Sequence, residues 1–390
     1  MKILKITSWY PNPLSPLSGS FVEDQALALA RNGINVGVLY VEMDLRKVIK
    51  KTKTHHFKTH FKEENGVKVF RYYGFFFPKI TKLIYLKWIH FFDTLLQEYI
   101  KKYGFPDVLH AHNYQSAYAA HFLSKKYQIP FIVTEHSSFL LTTGINGWRR
   151  QILKESFRNA SKIISVSEGL KALLTRYVNR DIVVIPNLIN TDLFSIKNEK
   201  IINEKFQIIA AGDLIPRKGF HLLIEAFSLM DPFLKKNMCL KIFGQGPEKT
   251  KLVSLIKKLR EDKRILLKGE VSRDVIAKEM KNSNLYALPS SAETFGIVVI
   301  EAMATGLPVL STRCVGPEKI IPKFAGDLIP INDINALRNG MEQIYLNIDS
   351  YQPKQIRQHV LDNFQEKVVV EKLKKIYQSV LEEGRLTIIK

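Results

Sequence analysis

The sequence predicts an α/β protein built from two Rossmann-like halves, on three observations. The chain has 390 residues, and a chain of that length divides by default into two domains of about 150–200 residues. An apolar strand, a glycine-bearing loop, a helix and a second strand occupy residues 3–41, and the same order starts again at Phe206. Leu285 to Leu310, LYALPSSAETFGIVVIEAMATGLPVL, reads strand, loop, helix, strand, which is one unit of a parallel sheet.

Composition narrows the class. Two cysteines, Cys239 and Cys314, cannot form a disulfide framework and lack metal-site spacing, so they suit a reducing compartment. The opening MKILKITSWYP has too short an apolar run for a signal peptide, and no window reaches the roughly 18 apolar residues of a spanning helix. A cytoplasmic protein, soluble or peripheral on the membrane, is expected. The net charge of +21 is uneven: residues 1–190 hold 27 Lys and Arg against 13 Asp and Glu, the rest 31 against 24. Such an excess points to an anionic partner. No nucleic-acid-binding signature accompanies it, so nucleic acid is unlikely and a membrane surface or phosphorylated substrate is favoured.

Ile3 to Ile6 is the first strand, SWYPNPLSPLSGS a loop, Phe21 to Asn32 a helix, and Asn35 to Val41 the second strand. No G-x-G-x-x-G is present, so this is not a dinucleotide fingerprint. Residues 46–103 are unusual. Arg46, Lys47, Lys50, Lys51, Lys53, Lys58 and Lys62 crowd with His55, His56 and His60, and aromatics follow from Phe70 to Phe77. KITKLIYLKWIHFFDTLLQEYIKKYG, apolar on one side, then interleaves Lys79, Lys82 and Lys87 and sets basic residues beside Trp88, Phe91 and Phe92. This segment suits an anionic bilayer surface; equally, the aromatics are core and the lysines a solvated face. Asp107 to His112 and Phe131 to His136 are strands with polar ends, Ile163 to Ser167 is another, and Ile182 to Ile185 closes the first half. The boundary falls near Asn187–Asn198, giving domains at 1–190 and 191–370, with a last helix at 371–390.

The second half opens with the strand Phe206–Ala211. The loop GDLIPRKG follows, with Arg217, Lys218 and Gly219, and then a helix from Phe220 to Met230. Cations beside a helix N-terminus suit phosphate. In the Leu285–Leu310 stretch, Glu293 lies in the loop and Glu301 in an otherwise apolar helix. A charge there needs a partner or a cleft. Phe295, Gly296, Ile297 and Val298 form the helix entrance, a ready anion site. The alternatives are a solvated loop glutamate and a helix glutamate snorkelling to the surface.

The segment ETFGIVVIE resembles the E-x7-E signature of the retaining family 4 glycosyltransferases of GT-B architecture, and SAETFGIVVIEAMATGLPVL is similar along its length. The resemblance implies two Rossmann-like domains facing across a cleft, and a metal-independent transfer from a nucleotide-diphosphate sugar, with no cofactor, to a glycan or lipid-linked acceptor. It implies that Lys218, Arg217 and the Phe295–Val298 backbone hold the diphosphate and that Glu301 holds the ribose. Glu293 would face the donor sugar. IPFIVTEHSS is similar to the family segment that places a histidine by that sugar, here His136. Gly19 stands where a loop glycine lets the backbone approach the substrates. In the phosphate loop Asp213 stands where the family carries arginine, so Asp213 would point away and Arg217 would supply charge. Val315 stands where the family's later loop has glycine. A catalytically silent binding module, or a sugar-nucleotide epimerase or hydrolase on the same fold, is the competing reading.

Overall fold

The computed structural model describes residues 1–12, 15–42, 59–74, 82–142, 144–145, 147–196 and 205–388, with side chains outside 82–84 and 385–388. In chain order the first unit holds β1 (Lys2–Thr7), α1 (Ser20–Arg31), β2 (Asn35–Glu42), β3 (Thr59–Glu64), β4 (Val67–Tyr73), α2 (Lys82–Tyr103), β5 (Val108–His112), α3 (Tyr114–Tyr127), β6 (Phe131–Glu135), α4 (Gly147–Asn159), β7 (Lys162–Ser165), α5 (Glu168–Leu174) and β8 (Ile182–Val184). The second holds β9 (Phe206–Ala211), α6 (Phe220–Ser228), α7 (Pro232–Lys235), β10 (Met238–Phe243), α8 (Lys249–Lys258), β11 (Ile265–Gly269), α9 (Arg273–Lys281), β12 (Leu285–Leu288), α10 (Ile297–Ala304), β13 (Val309–Thr312), β14 (Gly326–Ile329), α11 (Ile334–Leu346) and α12 (Pro353–Phe364). A last helix, α13 (Glu366–Ile388), returns to the first unit. The division falls at Leu188/Ile189 and Gln365/Glu366.

Each unit is a twisted sheet between helices, the α/β class that the strand–loop–helix recurrence predicts. The first sheet runs β3-β4-β2-β1-β5-β6-β7-β8, parallel except for the edge strand β3. Its central strands are near-continuous apolar runs because both faces are covered. Ile3, Val36, Val38, Val108, Ile132 and Ile164 form one core with α13, which contributes Val369, Leu373 and Tyr377. The second sheet, β11-β10-β9-β12-β13-β14, is all parallel. Its core joins Ile208, Leu240, Ile242 and Leu285 to Leu223 and Phe227 of α6 and Met341 of α11.

Of the segment 46–103, residues 59–74 and 82–103 are described. Its described part is a hairpin, β3 and β4, turned at Asn65 (φ 49°) and Gly66 (φ 82°), followed by α2. Two successive positive φ values make the primed turn that matches strand twist. Phe70, Trp88 and Phe92 are buried in this unit, and Tyr72 stacks on Phe91 with ring centres 4.1 Å apart. Those aromatics are core, not a bilayer-facing stripe. The basic residues at 46–58 and Phe75 to Phe77 lie outside the described residues. Among the described residues, no helix is long and apolar enough to cross a membrane.

Candidate functional site

In the second sheet, chain order reverses between β9 and β12. The carboxyl ends of two such strands frame the crevice where open α/β sheets bind ligands. The loop after β9 turns through Pro216–Lys218 into Gly219, and the loop after β12 runs to Gly296. Backbone contacts stitch the two together. The Ser291 N–H donates to the Arg217 carbonyl at 2.9 Å, and Arg217 Nη1 donates to the Ala292 carbonyl. Gly219 permits this approach: at φ 67°, a Cβ there would stand 2.2 Å from the Pro289 oxygen.

That stitching delivers Lys218 to Glu293. Lys218 Nζ donates to Glu293 Oε1 at 2.6 Å, Ser290 Oγ donates to the same oxygen at 2.8 Å, and Arg217 Nη1 lies 3.8 Å from Oε2. Burial opposes the charge on Glu293, but Lys218, Arg217 and Ser290 outweigh it and hold the carboxyl below its ordinary range. A carboxylate so held is not a proton donor at neutral pH. Asp213 is exposed, and the two cations at Glu293 are Lys218 and Arg217.

Three residues on, Gly296 (φ 93°) is the N-cap of α10 and offers no side chain to its first turn. Ile297 and Val298 are half-buried there, and Phe295 is buried against Phe364. The N–H groups of that turn carry the positive end of the helix dipole. The neighbouring loop fits closely: Glu293 N–H donates to Cys314 O at 3.0 Å, and Gly316 N–H to Glu293 O at 2.9 Å. Val315 between them sits at φ 78°, which a β-branched residue rarely adopts. Glu301, on a buried helix face, is paired with Arg273 of α9, Nη2 to Oε1 3.1 Å. Arg273 was not singled out by the sequence reading; no pattern links a residue 28 positions upstream.

In the first sheet the chain reverses between β1 and β5, and a second cluster lies there. Lys5 of β1 is fully buried; its Nζ bonds Gln25 Oε1 of α1 and lies 3.0 Å from His112 Nε2. His112 Nδ1 is 3.1 Å from His136 Nε2, just past β6. His110 bonds Tyr377 of α13 through Nδ1 and Thr134 through Nε2, each at 2.7 Å. The parallel pairing of β5 and β6 puts these rings on one face. Burial, then Lys5, lowers all three histidines, His136 to about 3, so they are neutral at pH 7. Beside them Asn113 takes φ 76° and ψ 162°, held by bonds to Ser8 and Ser116. Gly19 (φ 70°) starts α1; a Cβ there would stand 2.3 Å from the Trp9 carbonyl, so the close approach the structure shows is to the chain's own backbone. Phe21 packs on His136 with centroids 4.5 Å apart.

Sequence reading named His136 and the strand ending in His110 and His112, but missed Lys5, Gln25 and Tyr377; a lysine inside an apolar strand was the available signal. Among the described residues, no three His, Cys, Asp or Glu side chains are grouped to hold a metal ion.

The description "Glycosyltransferase Family 4" matches residues 18–193, and "Glycosyl transferases group 1" matches residues 193–358. The chain belongs to the family 4 glycosyltransferases. This glycosyltransferase is 26% identical over 360 residues to TuaC of Bacillus subtilis (strain 168), a glycosyltransferase provisionally assigned to teichuronic acid biosynthesis; the match takes in 87% of this chain and 88% of that one. Its fold is that of sucrose-phosphate synthase from Thermosynechococcus elongatus, with a TM-score of 0.79 at 20% identity over 98% of this chain and 100% of that one. Anabaena HepE, solved with UDP and glucose, gives a TM-score of 0.75 at 18% identity over 97% and 100%. The two parallel-sheet units are the two domains of the GT-B architecture.

Proposed function

We propose that this glycosyltransferase is a retaining, metal-independent enzyme. It moves a hexosyl group from a nucleotide-diphosphate sugar to a hydroxyl of a glycan acceptor, lipid-linked, in cell-surface polysaccharide or lipopolysaccharide synthesis. The observation that carries this reading is the gathering of Lys218 and Arg217 around Glu293, three residues before the uncapped start of α10. The cations and the Phe295–Val298 N–H groups receive the diphosphate, and Glu301, aimed by Arg273, receives the ribose. HepE was solved with UDP, which makes uridine nucleotides the first choice.

In the reaction the bond from the anomeric carbon to the phosphate oxygen breaks. The acceptor oxygen bonds the same carbon on the same face, and the departing phosphate takes the hydroxyl proton. Fixed dipoles and cations stabilise the charge that develops on the diphosphate without reorganising. Glu293, ionised, keeps Lys218 in place and faces the sugar. The resemblance assigns His136 a role beside the donor sugar. The retaining outcome rests on the resemblance of the two-glutamate segment to its family.

A thermal-shift panel of nucleotide sugars, then labelled transfer with the donor that shifts most, tests the reading, because a bound donor stabilises by mass action. Glu301→Ala should weaken nucleotide binding at least about tenfold, a loss of about 1.4 kcal/mol. Unchanged calorimetric affinity would sink the placement of the ribose, and nucleotide release with no acceptor dependence would make the protein a hydrolase. We also propose a cytoplasmic location, peripheral on an anionic membrane surface through the basic residues at 46–58. Charge reversal at Lys47, Lys50, Lys51 and Lys53 should abolish flotation with anionic vesicles; intact flotation would refute it.

A further inference from the structure

We propose that Glu135 is a positioning residue: its carboxyl group ties the end of β6 to the start of α3 and so sets where His136 stands. The catalytic consequence rests on the glycosyltransfer reading above; the tie does not.

Glu135 is the last residue of β6 and is fully buried. Its Oε1 accepts from the His136 N–H at 2.8 Å and from the Ser137 N–H at 2.6 Å, and its Oε2 accepts from the Tyr114 N–H at 2.8 Å. All three donors are backbone N–H groups, which cannot reverse and accept. A carboxyl group keeps acceptor capacity on both oxygens whether or not it is protonated. Burial raises the Glu135 pKa and the three bonds oppose that rise, but the pairing holds in either protonation state.

The two places joined are the polar ends of neighbouring strands. Tyr114 opens α3, and its N–H is one of the donors that a helix start leaves without an intrahelical partner. It directly follows Asn113, whose φ of 76° and ψ of 162° lie in a region that residues other than glycine rarely enter. Such a conformation persists only where its surroundings hold it. Before Asn113 stands His112, the last residue of β5, whose Nδ1 lies 3.1 Å from His136 Nε2. The β5–β6 register ends at His112 and Thr134, and the Glu135 carboxyl extends the join past it.

The join needs an acid because it is two-sided. Glutamine has nearly the same shape but only one oxygen. Whichever way its amide turns, an NH2 group faces an N–H, and either Tyr114 or the His136–Ser137 pair loses its acceptor. A buried N–H left unpaired is costly, and the link between the strand ends opens. His136 then moves with its own loop, and a displacement of about 1 Å at a reacting site can cost roughly a hundredfold in rate.

NMR of the full chain, isotopically labelled at tyrosine, histidine and serine, reads the tie directly. In the unaltered protein the amide protons of Tyr114, His136 and Ser137 should lie downfield and exchange slowly. In Glu135→Gln one side of the tie should lose that protection, and the His136 ring signals should shift. In transfer assays run well below its melting temperature, Glu135→Gln should lower kcat roughly tenfold or more while donor KM stays within about threefold, the split expected of an interaction made in the transition state. A Tyr114 amide that exchanges freely in the unaltered protein overturns the proposal even if Glu135→Gln does not fold. Unchanged His136 ring signals in a folded Glu135→Gln also overturn it. Shifted signals with unchanged kcat, or with the loss confined to donor KM, overturn the catalytic consequence. If the unaltered protein transfers from no donor, the glycosyltransfer reading fails while the spectra still decide the tie.

Discussion

Val315 shows how one residue can strain a site without unmaking it. At φ 78° its branched Cβ crowds the backbone, and the residue pairs with Glu293 in an isolated bridge between the two loops. The left-handed conformation costs about 1–2 kcal/mol, and a glycine would relieve that while adding about 0.5–1 kcal/mol of unfolded-state entropy. Val315→Gly should therefore stabilise the second unit by about 1 kcal/mol in a thermal or urea melt; a less stable variant would show that valine packing outweighs the strain. Asp213 departs from the family pattern at the same scale, and it is exposed. Lys218 and Glu293 were both legible as candidates, but their 2.6 Å pairing was not. They are 75 residues apart, and only the fold brings the two loops together.

Elements fix those side chains through close backbone approach. The loop after β9 touches the loop after β12 because Gly219 has no Cβ, and Gly244 likewise lies where a Cβ would stand 1.8 Å from the Gly212 oxygen. Gly219→Ala should destabilise by about 2 kcal/mol or more and separate Lys218 from Glu293. Gly33→Ala, at φ 79° with open space around its Cβ, should cost only about 1 kcal/mol. Chemical denaturation of the two variants checks the contrast, and equal losses would show that conformation rather than crowding governs Gly219. The hairpin of β3 and β4 carried a readable signal in Asn65-Gly66, yet charge and aromatic content drew the reading of that segment instead. Periodicity placed α1, α6 and α10 to within a residue or two, because their apolar faces repeat. It could not say that Phe70 and Trp88 face the core, since core and bilayer both select aromatics.

At the scale of the whole molecule, buried histidines tie stability to pH. His110, His112 and His136 all have folded pKa values below the ordinary 6.5. Between the folded and ordinary values the unfolded chain binds more protons, so stability of the first unit falls as pH drops below about 6.5, by up to about 1.4 kcal/mol per pH unit for each histidine. Glu293 has the opposite protonation chemistry and the same direction: its pairing stabilises above the ordinary carboxyl pKa and is lost as pH falls through the lowered one. Melting temperature should thus decline from pH 7 to pH 5, and the decline should be shallower in His112→Gln. A flat profile would mean that the three rings charge without unfolding.

The sequence by itself determined the class of fold, the two-unit organisation and the family, because these depend on local periodicity and on contiguous motifs such as ETFGIVVIE. It also named Lys218, Glu293, Glu301 and His136, whose residue types stand out against apolar neighbours. Only the tertiary structure decided how they are partnered. Lys5 meets His112 across 107 positions, Tyr377 meets His110 across 267, and Arg273 meets Glu301 from another helix. Hydrogen-bond direction and charge balance belong to such contacts, and no local pattern in a chain specifies which distant donor will face which acceptor.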